Sequence, residues 1–315
     1  MKKRNKLAEQ KIYKNIKDVN FFLTILLLLA VFMLGILTNQ LVNSPKLAST
    51  TASVVKEKKG PDLAKIEQKV IPKKINVKIN WGNLGLRLIQ DGVLDKTKLA
   101  QSLNGTNDLP NDVEKYINGN EKQIEVNQGN AHFWLNVLWG LGLANKNKLL
   151  ESGDMQTASQ GNPGNFASTG GYTLGPNDPM SVYSKYSYIL LTDKQQQLVE
   201  EISGNIYRPC CGNSAAFPDC NHGMAMLSLI ELMVSQNRPK QEIYNTALAF
   251  NTLWFPQTYL DIAYHFEKAG KSYVKIPSQE ILSKTFSSGQ GYAVIQKEVG
   301  VLQWPSNKSG GSCGA

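Results

Sequence analysis

Residues 192–236 read TDKQQQLVEEISGNIYRPCCGNSAAFPDCNHGMAMLSLIELMVSQ, and this stretch decides the fold. It opens on Thr192-Asp193-Lys194-Gln195, a capping box: the threonine hydroxyl accepts from the third helical amide and the glutamine reaches back. A helix is expected from there to about Ile206. At the far end, residues 224–236 are apolar nearly all round, which marks a helix buried on every face. Between the two lie three cysteines and a histidine within thirteen residues, Cys210, Cys211, Cys220 and His222. The unit is helix, cysteine loop, helix, and it points to a mostly α protein.

Helical periodicity extends outward from this unit. Downstream it predicts helices over residues 240–251, 256–268 and roughly 278–286. Upstream, residues 81–103 break into two short helices at Asp91-Gly92, and residues 111–117 form another. A short helix is expected near residues 62–70. Residues 133–150 place Leu135, Leu138, Trp139 and Leu143 near helical spacing, while Gly140 and Gly142 mark a helix that packs closely or ends early. Residues 157–180, rich in Gly, Asn and Pro, read as a loop and as the main internal boundary. Residues 80–156 then form one helical subdomain, and residues 181–315 a second that carries the cysteines and histidine. Strands are expected to be few, and no internal repeat is visible.

The N-terminal part predicts where this domain sits. Residues 21–38, FFLTILLLLAVFMLGILT, hold no charge over eighteen residues, long enough to cross a bilayer with some flanking residues. Residues 1–20 form a basic tail with seven Lys/Arg against two acids. The positive-inside rule puts that tail in the cytoplasm and everything after Thr38 outside. A cleaved signal peptide would have a shorter apolar region and a small-x-small site, so an uncleaved anchor is favoured. Residues 39–79, rich in Ser, Thr, Lys and Pro, read as a linker. The expected class is therefore a single N-terminal transmembrane helix plus an extracytoplasmic multi-helix domain, with cell-membrane localisation.

Charge narrows the partners. Of the net charge of +9, the basic tail carries +5 and residues 40–79 carry +6, leaving residues 80–315 at −2. A nucleic-acid-binding domain would show its basic excess on the folded part, so nucleic acid is excluded. The expected partners are the membrane, through residues 21–38, and a protein.

The cysteines and histidine allow three chemistries. Soft sulfur and imidazole select Zn or Cu over Mg or Ca. A closed zinc site takes four ligands, which Cys220, His222, Cys210 or Cys211, and Cys313 in the C-terminal tail can supply. Asp219 or Asn221 would cap the buried helix. Cys220 and His222 would then lie in its first turn, where the helix dipole favours a thiolate. Arg208 adds to that effect if it folds inward. If the cysteines do redox work, Cys220 is the attacking thiol and Cys211 its resolving partner. If they are structural, Cys211–Cys220 and Cys210–Cys313 would be disulfides, as an even cysteine count allows.

The order helix, cysteine loop, helix, then Arg238-Pro-Lys-Gln-Glu-Ile243 opening another helix resembles the cytochrome c maturation thiol-oxidoreductases over about residues 195–255. It is also similar to small exported bacterial proteins named for a Pro-Cys-Tyr-Cys-Gly-Cys motif. The first resemblance implies a membrane-anchored helical domain that reduces a protein disulfide. This chain has adjacent Cys210-Cys211 where that family has Cys-x-x-Cys, and it adds Cys220 and His222. FPDCNHGMAM and LWGLGLANKN also look like signatures of an uncharacterised membrane-anchored bacterial family.

Other residues take plainer roles. Met224, Met226 and Met233 are expected to pack a core. His132 and His265 read as helix residues. Trp134, Trp139, Trp254 and Phe255 read as core, with Trp254 and Phe255 able to rim a pocket. Asp219 could instead orient His222. The chain holds no phosphate loop, His-Glu-x-x-His or nucleophile elbow.

Overall fold

A computed structural model describes residues 60–306. The basic tail, the apolar run 21–38, most of the linker and Cys313 lie outside the described residues. Among the described residues no helix is long and apolar enough to cross a membrane.

The described chain is mostly helical. Asp62 caps α1 (Leu63–Val70). The short strand β1 (Ile75–Val77) pairs antiparallel with β2 (Ile124–Val126), Ile75 opposite Val126. Between them come α2 (Leu84–Gln90), α3 (Lys96–Asn104) and α4 (Asn111–Asn118). Gly92, at φ +69°, makes the turn expected after α2. Then follow α5 (Ala131–Ala144), α6 (Lys148–Ser152) and α7 (Asp154–Ala158). The long helix expected over 133–150 stops at Ala144. Asn145 leaves the helix in extended conformation, and the Asn147 side chain caps α6 by accepting from the Leu149 N–H.

The capping box at Thr192 and Gln195 forms as expected and starts α8 (Asp193–Gly204). The buried helix is α9 (Asn221–Ser235). It begins three residues earlier than its apolar run suggested, because Cys220 caps it. After it come α10 (Lys240–Trp254), α11 (Pro256–Lys268), α12 (Ser278–Ile281) and α13 (Lys284–Ser287). The single helix expected over 278–286 is thus two short ones, broken at Leu282-Ser283. A further helix, α14 (Gly289–Val299), was not anticipated. Its first turn holds Gly289 and Gly291, residues that read as loop; Ser288 supplies the cap, accepting the Gly291 N–H at 3.0 Å.

The core is organised on α5 and α9, which pack against each other more extensively than any other helix pair. Both are apolar on every side and almost every residue of each is buried. Full burial of each Leu, Ile or Met contributes about 1.5–3 kcal/mol. Their approach is close because Gly142 has no side chain: a Cβ there would stand 2.4 Å from Met224 O. Ser228 crosses the interface, its hydroxyl donating to Leu138 O at 2.7 Å. Segment 157–180 packs onto this pair. Trp139 Nε1–H donates to Ser168 O at 2.7 Å, and Ser168 and Thr169 are buried. The three methionines of α9 are buried as expected.

Candidate metal centre

Loop 205–220 is folded back on itself. Tyr207 and Ser214 form an antiparallel bridge, and Ala215 N–H donates to Ile206 O at 2.8 Å. The tip of the loop carries Cys210 and Cys211. The beginning of α14 holds it from one side: Gly289 N–H donates to Cys211 O at 2.7 Å. A Cβ on Gly289 would lie 3.2 Å from both Cys211 O and Pro209 O, so only glycine permits this approach without a shift. Upstream, Tyr207 N–H donates to Leu282 O at 2.8 Å.

Cys220 closes the loop as the N-cap of α9. Its sulfur accepts the Gly223 N–H at 3.4 Å. The two residues expected to cap serve elsewhere: Asp219 binds Arg208, and the Asn221 side chain accepts the His222 N–H at 2.8 Å. Folding of the tip brings three sulfurs together. Cys210 Sγ lies 3.4 Å from Cys220 Sγ, and the sulfurs of Cys210, Cys211 and Cys220 all fall within 4.8 Å of one another. All three are free thiols; Cys210 is exposed and the other two half-buried. Three soft donors at this spacing can hold a metal ion.

Arg208, only 1% exposed, is the centre of the loop. Its Nε–H donates to Cys220 Sγ at 3.1 Å, Nη1 to Asn213 O at 3.0 Å, and Nη2 to Phe217 O at 3.0 Å. Nη2 also forms an ion pair with Asp219 Oδ1 at 2.5 Å. The other Asp219 oxygen accepts from Asn213 Nδ2 at 2.7 Å. A Cβ on Gly223 would stand 2.4 Å from Arg208 Cζ, so glycine in the first turn of α9 makes room for the guanidinium.

These contacts set the charge of the sulfurs. Hydrogen bonds from Cys210 and Cys211 hold the Cys220 thiol well below its ordinary value, aided by His222 and the Arg208 charge and opposed by burial. Hydrogen bonding to Cys211 and then to Cys220 pushes Cys210 up, with burial adding to it. The Cys211 thiol is pulled down by its hydrogen bond with Cys210. Hydrogen bonding to Cys220 and burial outweigh this, and it is pushed up to about 11. The shifts thus run in opposite directions, favouring the thiolate on Cys220 and the thiol on Cys210 and Cys211.

His222 stands beside this group rather than within the three-sulfur spacing. Its ring is 8% exposed and packs on Phe255 at 4.4 Å and Trp254 at 5.7 Å between centroids. Trp254 and Phe255 thus cover the histidine. Cys313 lies outside the described residues. His132 is exposed, and His265 Nδ1 lies 3.0 Å from a Glu298 carboxylate oxygen.

One part of the site was not legible from residue types: the start of α14 reaches it only through the fold. Arg208 folds inward onto Cys220, as the sequence allowed. No family model matches the chain, and no curated protein and no solved structure matches it.

Proposed function

We propose that this is a membrane-anchored extracytoplasmic protein that binds one soft transition-metal ion, Zn or Cu, through Cys210, Cys211 and Cys220. The observation that carries the proposal is the convergence of three free sulfurs within 4.8 Å. The 3.4 Å between Cys210 and Cys220 is far longer than a disulfide bond of about 2.05 Å. It is close to the roughly 3.8 Å edge of a sulfur tetrahedron around zinc at about 2.3 Å. His222 and Cys313 are the candidates for any further protein ligand. The anchor rests on residues 21–38 and the lysines before them.

The test is elemental analysis with a free-thiol count on the full chain purified in detergent without chelator. One metal equivalent per chain is expected, lost in Cys220→Ser. Metal-free protein with oxidised cysteines would overturn the proposal.

One observation favours a second activity, thiol–disulfide exchange of the kind the maturation oxidoreductases perform. The exposed Cys210 sits against the low-pKa Cys220, which makes these two, rather than Cys220 and Cys211, the exchanging pair. Against it, the attacking thiol should be both ionised and accessible. Here the ionised sulfur is the half-buried Cys220, and the exposed Cys210 keeps its proton. Slow alkylation that speeds up on adding a chelator supports the metal site. Fast alkylation without chelator, together with disulfide reductase activity lost in Cys220→Ser, supports the enzyme.

A further inference from the structure

We infer that the centre is three-coordinate and selects a monovalent cuprous ion over zinc. The inference rests on the metal-binding proposal and goes on to name the ion.

Among the described residues, no further donor stands ready to complete a tetrahedron. Asp219 approaches Cys211 Sγ at 3.7 Å, but its Oδ1 is held by Arg208 and its Oδ2 by Asn213 at 2.7 Å. The imidazole of His222 is packed against Phe255 and Trp254 and stands outside the spacing of the three sulfurs. No imidazole or carboxylate of the described residues joins the three sulfurs within their 4.8 Å spacing. The protein side of the trio is blocked by the buried Arg208, whose Nε–H and the Gly223 N–H both point at Cys220 Sγ. What stays open is the solvent side, beside the exposed Cys210.

Metal chemistry then separates the candidates. Structural zinc sites are almost always closed by four protein donors, and zinc with three keeps a water in the fourth position. A cuprous ion is soft, has no geometric preference from its filled d shell, and is satisfied by three thiolates. Three thiolates around one such ion leave two negative charges. The Arg208 guanidinium and the positive end of the α9 dipole lie against Cys220 to meet part of that charge. Asp219 offsets the guanidinium at its far end, so coordination number rather than net charge decides the selection.

The experiment uses the full chain in detergent under strict exclusion of oxygen. Cuprous ion is titrated against bicinchoninate, zinc against a chromophoric zinc chelator, and copper-edge X-ray absorption counts the sulfurs. Expected are one cuprous ion per chain with three sulfur neighbours, retained against excess zinc. Cys211→Ser should drop the count to two sulfurs. Cys313→Ser should leave it at three. Arg208→Met should weaken cuprous binding by roughly 10–100-fold, as loss of a partner to a ligand does. Zinc displacing copper, with a cobalt derivative showing a tetrahedral spectrum, would overturn the cuprous selection and leave the metal proposal standing. Binding of neither metal beyond that of a protein lacking all three cysteines would overturn both.

Discussion

Gly223 shows how one atom group decides the site. The guanidinium of Arg208 lies where a side chain at position 223 would begin, 2.4 Å from the missing Cβ. Gly223→Ala should improve the helical propensity of α9 by up to about 1 kcal/mol, yet force Arg208 off Cys220 and leave a charged group short of partners. The second effect is expected to dominate, because loss of partners by a buried charge costs about 3–5 kcal/mol. A lower melting temperature together with faster alkylation of Cys220 is the expected outcome; unchanged stability and thiol reactivity would refute the role given to Arg208. At this scale the sequence was readable where chemistry is concentrated and opaque where it is reassigned. Cys210, Cys211 and Cys220 stood out by clustering. Cys220 as a helix cap did not, because cysteine is outside the set of residues that usually cap.

At the scale of the element, α9 carries a second buried polar feature. Glu231 is fully buried in this apolar helix and accepts from Asn145 Nδ2 at 2.9 Å and from Asn147 Nδ2 at 2.5 Å. Burial outweighs both hydrogen bonds and pushes its carboxyl up from 4.5 to about 8. The folded protein therefore binds more protons than the unfolded chain between these two values. The stabilisation from this group is full below about pH 4.5 and is lost as pH rises toward about 8. The slope approaches about 1.4 kcal/mol per pH unit. Glu231→Gln should flatten the fall in denaturant stability between pH 5 and pH 8, although its amide will face an asparagine amide and lose a hydrogen bond. An unchanged slope would show that Glu231 does not carry the effect. Elements bounded by local chemistry, such as α8 with its capping box, could be read from the chain. The break after Ala144 and the helix α14 could not, since they depend on side chains and backbone far away in sequence.

For the whole molecule the open question is placement. The lysines before residues 21–38 predict an exported domain. A reporter active only after export, fused after Ala315, should be active, and a cytoplasmic reporter at the same point silent. The reverse pattern would overturn the topology and, with it, the extracytoplasmic setting proposed for the cysteine cluster. The mostly helical class was legible because the apolar runs of α5 and α9 are long enough for buried helices and α11 shows helical apolar periodicity. The mutual packing of α5 and α9 was not, although Gly142 was recognised as a point of close approach.

The clasp between the cysteine loop and the end of the chain has a consequence in time. Cys211 is held by the Gly289 N–H, and Tyr207 by Leu282 O. During synthesis the three cysteines are made well before the residues that fasten them. Until α14 has been made, the Cys211 carbonyl lacks the Gly289 N–H that holds it in the finished fold. The backbone support of the sulfur cluster is therefore completed only after all three of its cysteines have been synthesised.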